Sequence, residues 1–329
     1  MEQIKSFLEI AKVARKQVHQ KLTIFPLLAP DGIEPDYLTL EQALDQNLIQ
    51  ITELDAEGSV PELKLKNLGK KSVLIIEGEE LVGAKQDRIV NSSFLIAGKT
   101  EVVIPVSCVE QGRWSYRSKA FTSGKKMMPA SLRREHQEDV KFSLKQGRGY
   151  QSDQSRIWDN ISEKSARMSV ESPTHAMADV FDSYEDTLSE FLSKFQLIEW
   201  QVGAVFAIDG QILGLEVFGC HDTFKRFFDK LVKSYALDAL DSRDTSRKES
   251  VPPDKARRFI ASALKSKGER HPSIGLGENV TFESRTVSGA ALAEGERILC
   301  LSAFRKEKKG NSHKVGFNRF SRRRSQRIY

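Results

Sequence analysis

The chain has 329 residues, 39% hydrophobic and 29% charged, enough to bury one large core or two smaller ones. No apolar run approaches the ~18–20 residues of a membrane helix, which argues against a membrane partner. The net charge of +6 is unevenly placed: ten Lys/Arg and one Glu fall between Arg305 and Tyr329, leaving 41 Lys/Arg against 44 Asp/Glu before them. Three well-separated cysteines (Cys108, Cys220, Cys300) without a CxxC pair speak against a disulfide framework and for a reducing, cytoplasmic setting. The six histidines show no zinc spacing, so neither a metal site nor another cofactor is expected.

In chain order, residues 1–20 carry Ile4, Phe7, Leu8 and Ala11 at helical spacing and predict an amphipathic N-terminal helix rather than a signal peptide. Residues 21–30 predict a strand closed by Pro-Asp-Gly turn chemistry. "TLEQALDQNL" predicts a helix capped by Thr39. Short alternating segments follow ("IQITEL", "PELKLKNL", "SVLIIEG", "RIVNSSFLIA", "EVVIPVSCVEQ"), too closely spaced for parallel crossovers. Pro105 marks its strand as an edge or a bulge.

The middle section is polar and helical, then more clearly amphipathic over 172–195. "WQVGAVFAIDGQILGLEVFGC" is a hairpin centred on Asp-Gly. A helix with Phe224, Phe227, Phe228, Leu231 and Tyr235 on one face follows, with Asp222 as its cap. A linker over 242–253, a short helix and a last group of strands complete the body. The expected fold is α+β: a mainly antiparallel sheet layer, its N-terminal strands completed by the C-terminal ones, with a helical middle section. The expected organisation is an N-terminal helix (1–20), one globular domain (21–304) and a disordered basic tail (305–329).

Three polar clusters stand out. "EGEELVGAKQDR" (77–88) places charges between two apolar strands. Its ordinary reading is a solvated hairpin end. Its functional reading is a site with Lys85 and Arg88 on an anion and Glu79 or Glu80 as base. It matches neither the Walker loop nor the dinucleotide fingerprint. "PVSCVEQGRWSYRS" (105–118) sets Arg113 beside Trp114 and Tyr116, suited to stacking on a base and pairing with phosphate. Cys108 is in phase with Val102, Ile104 and Val106 and reads as core. In 146–161, Gln154 and Trp158 are i, i+4 on a helix.

These motifs, with "SPTHAMADVF" and "VGAVFAIDGQILGLEVFG", resemble the ADP-ribosylglycohydrolase-and-rhodanese-phosphatase-associated protein domain family over about 15–304. Glu79, Gly83, Lys85, Gln86 and Arg88 match its first signature, and Cys108, Glu110, Gln111, Arg113 and Trp114 its second. The resemblance implies a place in NAD-derived or ADP-ribose metabolism. On it rest the candidate site residues: Glu79 and Glu110 as acid/base groups; Lys85, Gln86, Arg88, Arg113, Trp114, Gln154 and Trp158 as ligand contacts. The expected ligand is ADP-ribose-like or a phosphorylated nucleotide, with an ADP-ribose-processing enzyme as a protein partner. The alternatives are a non-catalytic interaction module, or weak nucleic-acid contact through 305–329.

Overall fold

The computed structural model describes residues 1–30, 34–242 and 251–307. Most of the Pro-Asp-Gly turn, residues 243–250 of the linker expected over 242–253 and the basic tail from 308 lie outside them. Among the described residues no helix is long and apolar enough to cross a membrane.

A nine-stranded antiparallel sheet carries the large body. Its main path runs Lys12–Val13, Leu22–Leu28, Gln201–Ile208, Gln211–Phe218, Arg297–Arg305, Val287–Glu294, Glu278–Glu283, Lys267–Pro272, and Gln17–His19 pairs beside Leu22–Leu28. The Asp209-Gly210 turn has φ of 48° and 76°, the paired positive angles that match the twist of a two-residue hairpin. All of Gln201–Ile208 is buried because helices cover both faces. Ala204 and Phe206 meet the long helix His221–Asp241. Val205 and Ala207 share a core with the helices Glu2–Ile10 and Pro253–Leu264.

The rest of the early chain forms sheets of its own. One has six strands, ordered Phe121–Met127, Glu79–Gly83, Arg88–Val90, Glu101–Cys108, Glu62–Asn67, Ile49–Thr52. The other has three: Phe94–Ile96, Ser72–Ile75 and Tyr37–Thr39. The late strands therefore complete a sheet only with residues 12–28. Strands within 37–127 build a core of their own, while Tyr37, Leu74, Ile89, Leu95 and Met127 pack into the large one.

Other expectations need correcting. The N-terminal helix stops at Ile10, because Lys12–Val13 and Gln17–His19 pair with Leu22–Leu28. Pro105 is not on an edge. It stands where its strand passes from Glu62–Asn67 to Arg88–Val90, so the ladder loses little by its missing N–H. Cys220, not Asp222, is the N-cap residue of the long helix; Asp222 stands in its first turn, where a negative charge suits the helix dipole. Thr39 does cap its helix, in a reciprocal box with Gln42.

The polar helix Ala130–Lys145 lies inward. Arg133, His136, Gln137 and Lys141 are all buried, at positions i, i+3, i+4 and i+8 on one face. Arg133 donates to Glu216 at 2.7 Å, Gln137 to Glu77 at 3.2 Å and Ser302 at 2.9 Å, and Lys141 to Glu283 at 2.9 Å. His136 bonds Asn91 at 3.0 Å. Partners come from the large sheet and from the 72–108 region, so this helix is a hydrogen-bonded seam between the two sheet systems.

Candidate functional site

The charge-rich run 77–88 is no solvated turn: every charged residue in it is buried. The chain can turn there because Gly83 takes φ 135°, and a Cβ on it would meet Ser118 Oγ at 2.6 Å. Strand alternation then sends successive glutamates to opposite faces. Glu79 accepts from Lys230 at 3.1 Å and from the Ile76 N–H at 2.9 Å, and Lys230 also pairs with Glu41 at 2.8 Å. Glu80 points the other way, against Gly124, and neither of its oxygens has a partner among the described residues. Burial pushes the Glu80 carboxyl up to about 8.

Arg113 is the hub that joins the first two clusters. Its Nε donates to Glu110 Oε2 at 2.8 Å and its Nη2 to Asp87 Oδ1 at 3.0 Å. Its Nη1 donates to the carbonyls of Ala84 and Ser115 at 2.7 and 2.9 Å. The expected phosphate ligand of Arg113 is thus replaced by the protein's own acceptors. The Asp87 N–H donates to Glu110 Oε2 at 3.0 Å, fixing the two carboxylates together. Burial would raise the Glu110 carboxyl, but Arg113 and the Asp87 N–H outweigh it and hold it below the usual range. Burial, with Glu110 alongside, leaves Asp87 raised. Arg117 spans the pair more loosely, 3.8 Å from Asp87 and 3.6 Å from Glu110, with its side chain 55% exposed.

The rim is aromatic. Lys85 Nζ donates to the Glu57 carbonyl at 2.5 Å and lies 5.0 and 5.2 Å from the ring centroids of Trp114 and Tyr116. Both rings are about half exposed, at 48% and 53%. Beneath them Gln86 donates to the carbonyls of Glu110 and Gln111 at 2.9 and 3.3 Å, and its oxygen accepts from Arg88 at 3.2 Å.

The third cluster joins the other two through Cys108. Gln154, at the start of the helix Gln154–Arg167, accepts from the Cys108 N–H and donates to the Cys108 carbonyl, both at 2.8 Å. Trp158, one turn on, sets its indole N–H against the Cys108 sulfur. Burial pushes this thiol up, with Arg88 acting against the shift.

The fold therefore gathers Lys85, Gln86, Arg88, Glu110, Arg113, Trp114, Gln154 and Trp158, and sends Glu79 to the long helix. Residues outside the expected set also take part. Asp87 and Arg117 sit inside the quoted motifs, and their charge was a visible signal. Glu53, whose Oε1 accepts from the Lys85 N–H at 3.4 Å, carries no local signal. A cleft of about 410 Å³, lined by Phe7, Tyr37, Cys220 and Leu299 among others, lies elsewhere.

A family model described as the ARG and Rhodanese-Phosphatase-superfamily-associated Protein domain matches residues 11–304. No curated protein and no solved structure matches the chain.

Proposed function

The chain belongs to the ARG and Rhodanese-Phosphatase-superfamily-associated Protein domain family, and from that premise we propose that it binds an ADP-ribose-like or phosphorylated nucleotide ligand at the 85–117 cluster. The family is associated with ADP-ribosylglycohydrolase and rhodanese-phosphatase genes, which supports this ligand class and a role beside an ADP-ribose-processing enzyme. The observation that carries the reading is the rim. Two half-exposed rings, Trp114 and Tyr116, flank Lys85, and the half-exposed Arg117 reaches a buried carboxylate pair. Rings of this kind stack on a base, and a loosely held guanidinium exchanges carboxylate for phosphate.

In this reading Trp114 and Tyr116 take the base and Arg117 takes phosphate. Arg113 is a positioning residue that holds Glu110 and Asp87. Glu110 keeps one oxygen, Oε1, without a hydrogen-bond partner among the described residues, and as a carboxylate held ionised it is suited to accepting from a ligand hydroxyl. Glu79 is left out, since its carboxylate is spent on Lys230 and a backbone N–H.

Calorimetric titration of the full chain with ADP-ribose and NAD tests the reading. Saturable binding is expected, weakened about tenfold or more by Trp114→Ala through lost stacking. Arg117→Ala is expected to weaken ADP-ribose but not a nucleoside without phosphate. Affinities unmoved by both substitutions, or no binding at all, would overturn it.

A further inference from the structure

Arg88 is fully buried, yet most of its hydrogen-bonding capacity is unused. A guanidinium has five N–H donors. Nη1 reaches Gln86 Oε1 at 3.2 Å and the Asp87 carbonyl at 3.5 Å, while Nε and Nη2 have no partner among the described residues. The nearest carboxylates do not serve it. Asp87 is held by Arg113 and the Gly83 N–H. Glu53 is near enough to act on Arg88 electrostatically, but its Oε2 also has no hydrogen-bond partner. Across Cys108, the buried indole N–H of Trp158 faces the Cys108 sulfur, a weak acceptor, and meets no oxygen or nitrogen among the described residues.

Arg88 thus holds three N–H donors, one on Nε and two on Nη2, without a partner among the described residues in a fully buried position. An unpaired buried cation costs several kcal/mol unless something compensates it. The Nε/Nη2 edge of a guanidinium is a fork that matches two oxygens of an oxyanion. A phosphoryl group there offers a third oxygen to Trp158, and a hydroxyl on it or beside it suits Glu53. The Trp114 ring centroid lies 6.0 Å from the Arg88 guanidinium carbon, and that residue is half exposed, so the ring covers the cation on the solvent side.

We propose that Arg88 and Trp158 form a buried oxyanion subsite for a phosphoryl group, with Glu53 accepting from a neighbouring hydroxyl and Trp114 as the covering ring. It rests on the nucleotide reading only for the larger molecule that carries the phosphate.

The probe is inorganic phosphate, titrated into the full chain at physiological salt and followed by tryptophan fluorescence and thermal melting. One saturable site and a raised melting temperature are expected. Arg88→Lys keeps the charge but loses the fork, and should weaken phosphate about tenfold or more. Trp158→Phe should weaken it several-fold, and carries the test if Arg88→Lys does not fold. Trp114→Phe should keep the site and lose much of the fluorescence change. Phosphate affinity unchanged in Arg88→Lys and Trp158→Phe would assign the signal to the basic tail and overturn the subsite. So would equal binding of acetate, or no saturable site. Phosphate binding without any nucleotide binding would keep the subsite and sink the nucleotide reading. Nucleotide binding unmoved by Arg88→Lys would do the reverse.

Discussion

Two arginines of this fold are equally buried and differently equipped. Arg133, in the seam between the sheet systems, meets Glu216 at 2.7 Å and the Met128 carbonyl at 3.1 Å, and lies over the rings of Tyr235 and Phe304. Arg88, beneath the aromatic rim, has an amide oxygen, a distant carbonyl and two idle nitrogens. Burial acts against both charges. At Arg133 the Glu216 and Tyr235 oxygens overcome it and raise the guanidinium pKa, whereas at Arg88 burial wins and lowers it. The difference separates architecture from recognition: a buried charge hydrogen-bonded to its own counter-charge holds the fold, and one whose carboxylate neighbours Glu53 and Asp87 make no hydrogen bond to it through their side chains is equipped to meet something from outside.

Substitution by methionine should split the pair most widely. Arg133→Met leaves Glu216 buried without its counter-charge and should cost about 3–5 kcal/mol in urea unfolding. Arg88→Met removes a cation that has no carboxylate partner, and should cost less than about 1 kcal/mol or stabilise. Equal costs would erase the distinction.

Glu80 sharpens the comparison on the alkaline side. The folded chain holds its proton up to about pH 8, against a reference of 4.5. The stability it contributes is therefore complete below about 4.5 and lost as pH rises toward 8. Glu80→Gln should flatten this window and exceed the parent's stability at alkaline pH by about 2–4 kcal/mol, read from melting curves against pH. A slope identical in parent and variant would show that this carboxyl ionises freely.

His136 gives the smallest effect and the opposite sign. Burial, then Arg133, lower it from 6.5 to about 4. Its contribution is present above pH 6.5 and lost as pH falls through 4. His136→Asn should remove about 1–3 kcal/mol of acid-side pH dependence, again by melting. Here the seam loosens in acid, while the Glu80 side of the rim loosens in base.

Much of the site was legible locally. Strand–polar run–strand patterns marked 77–88 and 105–118, and i, i+4 spacing put Gln154 and Trp158 on one helix face. That Gln154 would bracket the Cys108 backbone, and Arg113 reach Asp87 and the Ala84 carbonyl, depends on partners 26 to 46 positions away. The inward helix Ala130–Lys145 misled for the same reason. Its polar residues look like a solvated face until Glu216, Glu283 and Ser302 arrive from the far end of the chain.

The sequence by itself determined the elements that short-range physics controls: the Asp-Gly hairpin, the Thr39 cap, the apolar face of the long helix and the mixed α+β class. Periodicity, turn angles and capping need only near neighbours. The tertiary structure alone decided which strands share a sheet, which face each glutamate takes and which buried charge is paired. Those outcomes are set by contacts between distant segments, and a charge's role depends on the groups that surround it once water has been excluded.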